Sequence, residues 1–294
     1  QGSTLYSTES DTFESEQLAF FEAYLQAVED PASTLTSSRF SVSTERAAGI
    51  YELKKLIKKS SSEFTAVKGQ ITGPFTLLVG ITDKYKRLGY YEQSFREMAV
   101  KALAMKAAWQ VEFLKELQLP VILFIDEPAL AGLGSSAFIS IDTNDIAQDL
   151  SEVISAIQLS GGIAGIHVCA NTDWNFIFSL DLDVLSFDAH GFFEKLVTCR
   201  QHVYSFLERG GIIAWGIVPT VNAETIANES VESLVSLWEA QATQLVNETW
   251  DIKRILQQTL ITPSCGTGAI EQEPAKQVLE LSHGVSRTLR NKYL

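Results

Sequence analysis

Several things are scarce in this sequence, and each scarcity removes a class of protein. No stretch approaches the roughly 18 uninterrupted apolar residues of a membrane span, although 46% of the residues are hydrophobic. Cysteine is rare: Cys169, Cys199 and Cys265 are an odd set in 294 residues, too few and unpaired for a disulfide framework. In a reducing compartment such thiols are core residues or metal ligands. Positive charge is also short, with 23 Lys and Arg against 36 Asp and Glu and a net charge of −13. That balance supplies no basic surface for a phosphate backbone, so nucleic acid is not an expected partner. Residues 1–17 are rich in Ser, Thr and Glu and carry neither the basic leader nor the apolar run of a signal peptide. The expectation is a soluble, cytoplasmic protein with no membrane partner. Finally, no GxGxxG or GxxxxGK[ST] loop follows any apolar run, which removes the usual dinucleotide and triphosphate sites.

What the sequence does have is a rhythm. Short apolar runs rich in β-branched residues fall at 64–71, 120–125, 163–168, 184–187, 211–218 and 259–262. Near-continuous hydrophobicity in such short runs predicts strands covered on both faces, as in a parallel sheet wrapped by helices. Between them lie amphipathic stretches at 94–117, 143–159 and 230–247, long enough to serve as crossover helices. The fold class expected is α/β, and the missing phosphate loops favour a TIM-type (β/α)8 barrel over an open doubly wound sheet. Such a barrel needs eight strands, so the first strands are expected to be missing or atypical. Residues 1–63 read instead as a helical segment of the barrel domain, with helical patterns at 14–29 and 44–58, and 64–294 as the barrel proper.

Polar residues gather where the strands end. Asp126 and Glu127 close the second run, His167 and Cys169 the third, Asp188 the fourth and Cys265 the last. In a barrel all strand carboxyl ends open onto one face, where active sites are built from several strands. His167 and Cys169 are two apart, so their side chains leave a strand on the same side. With Cys265 they make an imidazole and two thiols, a donor set that suits zinc and leaves a fourth position open, as catalytic zinc sites do. A His-x-Cys pair alone is more often a packed thiol beside a hydrogen-bonded imidazole. It is the coincidence with Cys265 at the end of another strand that points to metal. Cys199 falls in a helical stretch and reads as packing, and His190, His202 and His283 have no ligand partner at a persuasive spacing.

The segments 125–130 (IDEPAL), 165–174 (GIHVCANTDW) and 262–266 (TPSCG) resemble the C-terminal catalytic barrel of cobalamin-independent methionine synthase. Residues 69–77 (GQITGPFTL) are similar both to that family and to the wider uroporphyrinogen decarboxylase superfamily. The resemblance spans roughly residues 64–290. It implies a (β/α)8 barrel, a Zn2+ cofactor and methyl transfer to a thiol. By position it makes His167, Cys169 and Cys265 zinc ligands and puts Asp188 where the family has a ligating glutamate. An aspartate there could bind the metal, act through water, or orient His167. Asp126 matches the aspartate that holds the substrate's ammonium group, with Glu127 beside it as a second substrate-binding candidate. The family's opening Gly-Ser strand, the glutamate after it and the second, folate-presenting barrel have no counterpart here.

Only a thiolate attacks efficiently, and a free thiol with a pKa of about 8.5 is mostly protonated at neutral pH, a difficulty that a bound zinc ion removes. The expected reaction is therefore methylation of homocysteine to methionine, with a methylcorrinoid, free or on a corrinoid protein, as donor in place of methyltetrahydrofolate. Homocysteine is preferred to coenzyme M because a sulfonate calls for an Arg or Lys that the strand ends lack. The alternatives are a methylcorrinoid:coenzyme M-type methyltransferase, a metal-free uroporphyrinogen decarboxylase-like enzyme, and a zinc- or thiol-binding protein without catalysis.

Overall fold

The computed structural model of the chain describes residues 5–31, 35 and 39–294. Residues 1–4, 32–34 and 36–38 of the expected helical segment lie outside the described residues. Six strands share one sheet in sequence order: β1 (Val67–Thr72), β2 (Val121–Asp126), β3 (Ile163–Val168), β4 (Val184–Phe187), β5 (Ile212–Val218) and β6 (Thr259–Pro263). Each forms where a run of apolar residues was expected. The first begins at Val67 rather than at residue 64, and Phe64 is exposed ahead of it. Among the described residues no strand precedes β1; Leu5 makes only an isolated bridge to Thr82. The architecture is a mixed α/β one with helices between strands, and the described residues do not include the eight strands of a closed barrel. No helix among them is long and apolar enough to cross a membrane.

The chain divides into two compact units, Gln1–Leu130 with Gly134–Gly165, and Ala131–Leu133 with Ile166–Leu294. In the first unit β1 and β2 run parallel in register from Val67↔Val121 to Thr72↔Asp126. Their crossover contains α3 (Pro74–Gly80) and α4 (Gln93–Lys115), and α1 (Phe13–Glu29), α2 (Ala48–Lys59) and α5 (Thr143–Leu159) complete the unit. The start of α5 is fixed by Asp142, whose side chain accepts from Asn144 N. Its buried face is Ile146, Leu150, Val153, Ile154 and Ile157, the spacing of one helical stripe, and it packs on α4. Each such side chain fully removed from water contributes about 1.5–3 kcal/mol.

A buried carboxylate ties β2 to α3. Glu127 has no exposed surface, and its Oε1 accepts from Phe75 N at 2.9 Å while Oε2 accepts from Thr76 N at 2.8 Å and Thr76 Oγ1 at 2.6 Å. Thr76 Oγ1 in turn accepts from Ala129 N at 3.1 Å, closing the loop after β2. Gly73 permits this: a Cβ there would lie 2.1 Å from Glu127 Oε1. Pro74 opens α3, where its missing N–H goes unneeded. Glu127, expected as a substrate-binding group, thus has both oxygens engaged by the fold, because a buried carboxylate requires donors and the first turn of α3 provides them.

In the second unit β4 and β5 pair in parallel from Val184↔Ile212 to Phe187↔Trp215, and β5 pairs with β6 with a register shift between Gly216 and Val218. The helices are α6 (Trp174–Ser179), α7 (Ala189–Leu196), α8 (Arg200–Glu208), α9 (Ala223–Ala227), α10 (Val231–Thr243), α11 (Ile252–Gln257) and α12 (Gln272–Tyr293). Ser230 and Ser233 form a capping box that starts α10. One buried amide joins three of these elements: Gln241 of α10 accepts from Trp215 Nε1 at 2.7 Å and donates to Ala189 O, the first residue of α7, at 2.8 Å.

Burial pushes the Glu127 carboxyl up from 4.5 to about 7, outweighing the Thr76 and Phe75 donors that favour its charged form. A folded-state pKa above the unfolded one means that the folded protein holds the extra proton between these values. The contribution of this group is therefore complete below pH 4.5 and lost as pH rises through 7. Glu127→Gln turns an amide N–H toward the backbone donors and is expected to destabilise by about 1–3 kcal/mol. Thermal denaturation followed by circular dichroism should show a larger gap between wild type and Glu127→Gln at acid than at alkaline pH; a gap independent of pH would contradict the assignment.

Candidate metal centre

The centre lies in the second unit and is assembled from strand ends. His167 is the fifth residue of β3, half-buried between the buried Ile166 and Val168, and Cys169 follows directly after the strand. Alternation along the strand sends both side chains to one face. Cys265 arrives from β6, two residues past its last residue, Pro263. The ligand atoms of His167, Cys169 and Cys265 all lie within 4.8 Å of one another. A tetrahedral zinc ion separates neighbouring nitrogen and sulfur ligands by about 3.3–3.8 Å, so only small side-chain adjustments stand between this arrangement and a bound ion. The group could hold a metal ion, and its donors, one imidazole and two thiols, are of the kind that soft and borderline divalent ions select.

Two of the three residues are held by neighbours. Ser186, buried on β4, lies with its Oγ 2.9 Å from His167 Nδ1, a contact that orients the ring. Ser264 N donates to Val218 O at 2.8 Å, fixing the residue before Cys265 to the end of β5. Gly216 makes room for this approach: a Cβ on it would stand 2.3 Å from Phe187 O and 2.9 Å from Ser264 Cα. The register shift between β5 and β6 falls at the same place. Burial pushes the Cys169 thiol up, and the Cys265 thiol, the hydrogen bond with it and the charge of Asp188 push in the same direction. A positive ion between two such thiols reverses that preference, since it favours the thiolates that burial opposes.

Asp188 does not join the three. Its ligand atoms fall outside the group, and its Oδ1 accepts from Gly191 N at 2.8 Å as the N-cap of α7. In this arrangement the carboxylate that was expected as a fourth ligand serves a helix start, and the group that could hold an ion consists of the other three residues. An aspartate standing immediately before a helix finds the helix's own N–H groups within reach of its short side chain. Burial raises its pKa and the Gly191 N–H opposes the rise. It remains close enough for its charge to act on Cys169.

The other candidates are placed as follows. His190 Nε2 lies 3.1 Å from Glu229 Oε1, and His202 stacks on Phe178 with 6.5 Å between ring centroids; neither belongs to the metal group. Cys199 ends a short 3-10 turn before α8, beside Thr198 Oγ1 at 3.8 Å. Asp126 and Glu127 belong to the first unit. Burial raises the Asp126 carboxyl, and the Lys68 ammonium acts against that rise. Ser186 and Gly216 were not singled out in the sequence. The alternation that puts Ser186 on the face of Asp188 was the available sign for the first; nothing marked the second. No protein-family model and no curated protein matches the chain.

Titration with cobalt(II) is expected to reach one ion per chain, with a sulfur-to-metal charge-transfer band that Cys265→Ala abolishes. Asp188→Asn keeps a good N-cap and removes the charge, and should leave both stability, within about 0.5 kcal/mol, and metal stoichiometry unchanged. Asp188→Ala should lower stability by about 1 kcal/mol. Loss of the ion in Asp188→Asn would restore the carboxylate as a ligand.

Proposed function

We propose that the protein is a zinc-dependent methyltransferase that methylates a thiol, on a (β/α) barrel similar to the catalytic barrel of cobalamin-independent methionine synthase. The observation that carries this reading is the convergence of His167 and Cys169 with Cys265, which follows another strand 96 positions after Cys169 (265 − 169 = 96), onto atoms within 4.8 Å of one another. Three protein donors leave a tetrahedral ion one open position, which distinguishes a catalytic from a structural zinc site. Zinc held there supplies the positive charge that keeps an entering thiol deprotonated near neutral pH.

The chain's own residues set the conditions for that chemistry. Ser186 orients the His167 ring. Asp188 holds a negative charge near Cys169 that opposes uptake of further anions and favours transfer of charge outward, onto an electrophile. The acceptor we assign is homocysteine and the donor a methylcorrinoid. The cobalt–carbon bond breaks with both electrons left on cobalt, the sulfur–carbon bond forms, and the thiol proton leaves to solvent. Because the Lys68 ammonium already acts on Asp126, the preference for homocysteine over coenzyme M rests on the lack of an Arg or Lys at the strand ends and not on an ammonium–Asp126 pair.

The test supplies methylcobalamin to the zinc-loaded protein with homocysteine or coenzyme M in parallel. Methionine should form with homocysteine, and Cys265→Ala should lower the rate by at least about 100-fold. Preferential methylation of coenzyme M would overturn the acceptor. A rate indifferent to Cys265→Ala would overturn the zinc mechanism, and a zinc-loaded protein that methylates neither thiol would reduce it to a binding protein.

A further inference from the structure

We propose that Thr220 is a positioning residue for the metal centre: its hydroxyl, bonded to that of Ser264, fixes the segment that carries Cys265. The inference rests on the reading of His167, Cys169 and Cys265 as a metal site. It concerns a residue outside that three-residue group.

Cys265 is exposed, and the residues after it up to Ile270 are exposed or half-buried, so the fold grips this segment from its upstream side. That grip is Ser264, which is 2% exposed. Its backbone N–H donates to Val218 O at 2.8 Å, and its Oγ lies 3.0 Å from Thr220 Oγ1. One bond sets the distance of the Cys265 segment from β5. The second sets its rotation, because a backbone bond alone leaves Ser264 free to turn about it. Thr220 is itself firmly placed. It is 8% exposed, and the backbone beyond it is anchored where Asn222 caps α9 by accepting from Thr225 N at 2.9 Å. Two hydroxyls buried together satisfy each other, and removing one strands its partner. The stranded Ser264 would turn to find another partner and carry Cys265 with it. Outer partners that orient metal ligands typically affect affinity by roughly 10- to 100-fold, and this pair acts one residue from a ligand.

Zinc affinity by competition with a chromophoric chelator would be measured for wild type, Thr220→Val, Thr220→Ser, Ser264→Ala and the double variant Thr220→Val/Ser264→Ala. Circular dichroism and melting of the metal-free proteins would be read alongside, so that lost metal is not mistaken for lost fold. Thr220→Val is expected to weaken zinc by about 10- to 100-fold and to shift the cobalt(II) charge-transfer band, whereas Thr220→Ser restores wild-type values. The double variant should bind no worse than the weaker single one, because the two residues share one bond. Unchanged affinity in Thr220→Val, or equal losses in Thr220→Val and Thr220→Ser, would overturn the positioning role while leaving the metal centre in place. A wild-type protein that takes up no zinc would instead remove the reading beneath it.

Discussion

The place of Cys265 depends on an absent side chain. At Gly216 the carbonyl of Phe187 on one side and Ser264 on the other approach so closely that a Cβ would be 2.3 Å from the first and 2.9 Å from the second. Contacts that short have no relaxed solution, so any other residue would push the ends of β4 and β6 away from β5. The register shift between Gly216 and Val218 falls at the same place, and there Ser264 N bonds Val218 O. Ser264 then carries Cys265 toward His167 and Cys169. The metal centre is thus specified as much by what β5 lacks as by the ligands themselves, in keeping with the use of glycine where backbones must come close.

The first unit solves a different problem with related means. A carboxylate with no exposure is costly unless donors surround it. Glu127 meets that condition with three donors from Phe75 and Thr76, and Gly73 is bare so that it can reach them. The two sequence segments DEP and GPFT, 51 residues apart from Thr76 to Glu127, are in this sense one structural device. Each half is intelligible only with the other: Gly73 gives the room, Pro74 opens the helix, Thr76 supplies the hydroxyl, and Glu127 joins β2 to α3. The pairing also accounts for adjacent acids with different surroundings, Glu127 fully enclosed and Asp126 half-buried under the influence of Lys68.

Much of this was legible in the sequence, for identifiable reasons. The strands were visible because a parallel strand covered on both faces is a short run rich in Val, Ile and Leu, and here such runs recur between long amphipathic stretches. The long helices α4 and α5 were visible through their periodicity. The short α3 and α6, with 7 and 6 residues, are below the length at which a helical period can be read. His167, Cys169 and Cys265 stood out because imidazole and thiol at strand ends are few. Asp188 and Glu127 could not be resolved in the same way, since a carboxylate beside a helix start is equally a ligand, a substrate contact or a cap, and only the positions of the N–H groups decide. Ser186 was marked only by its alternation with Asp188, and Thr220 not at all: hydroxyls are common, and their partners lie 19 and 44 residues away.

The cap at Asp188 also bears on how a zinc centre of this composition would react. Two cysteine thiolates and a neutral histidine balance a divalent ion, whereas a ligating carboxylate would leave the centre with a net negative charge. A centre already negative repels a further anion and makes it a better nucleophile once in place; a neutral one admits it more readily and activates it less. By folding back onto Gly191 N, Asp188 occupies an intermediate position. Its charge is spread onto the N-terminus of α7, which lowers its field, yet enough remains to raise the Cys169 thiol. Gln241, bonded to Ala189 O at the first residue of α7, holds the helix start that Asp188 caps, and with it the distance over which that charge acts on Cys169.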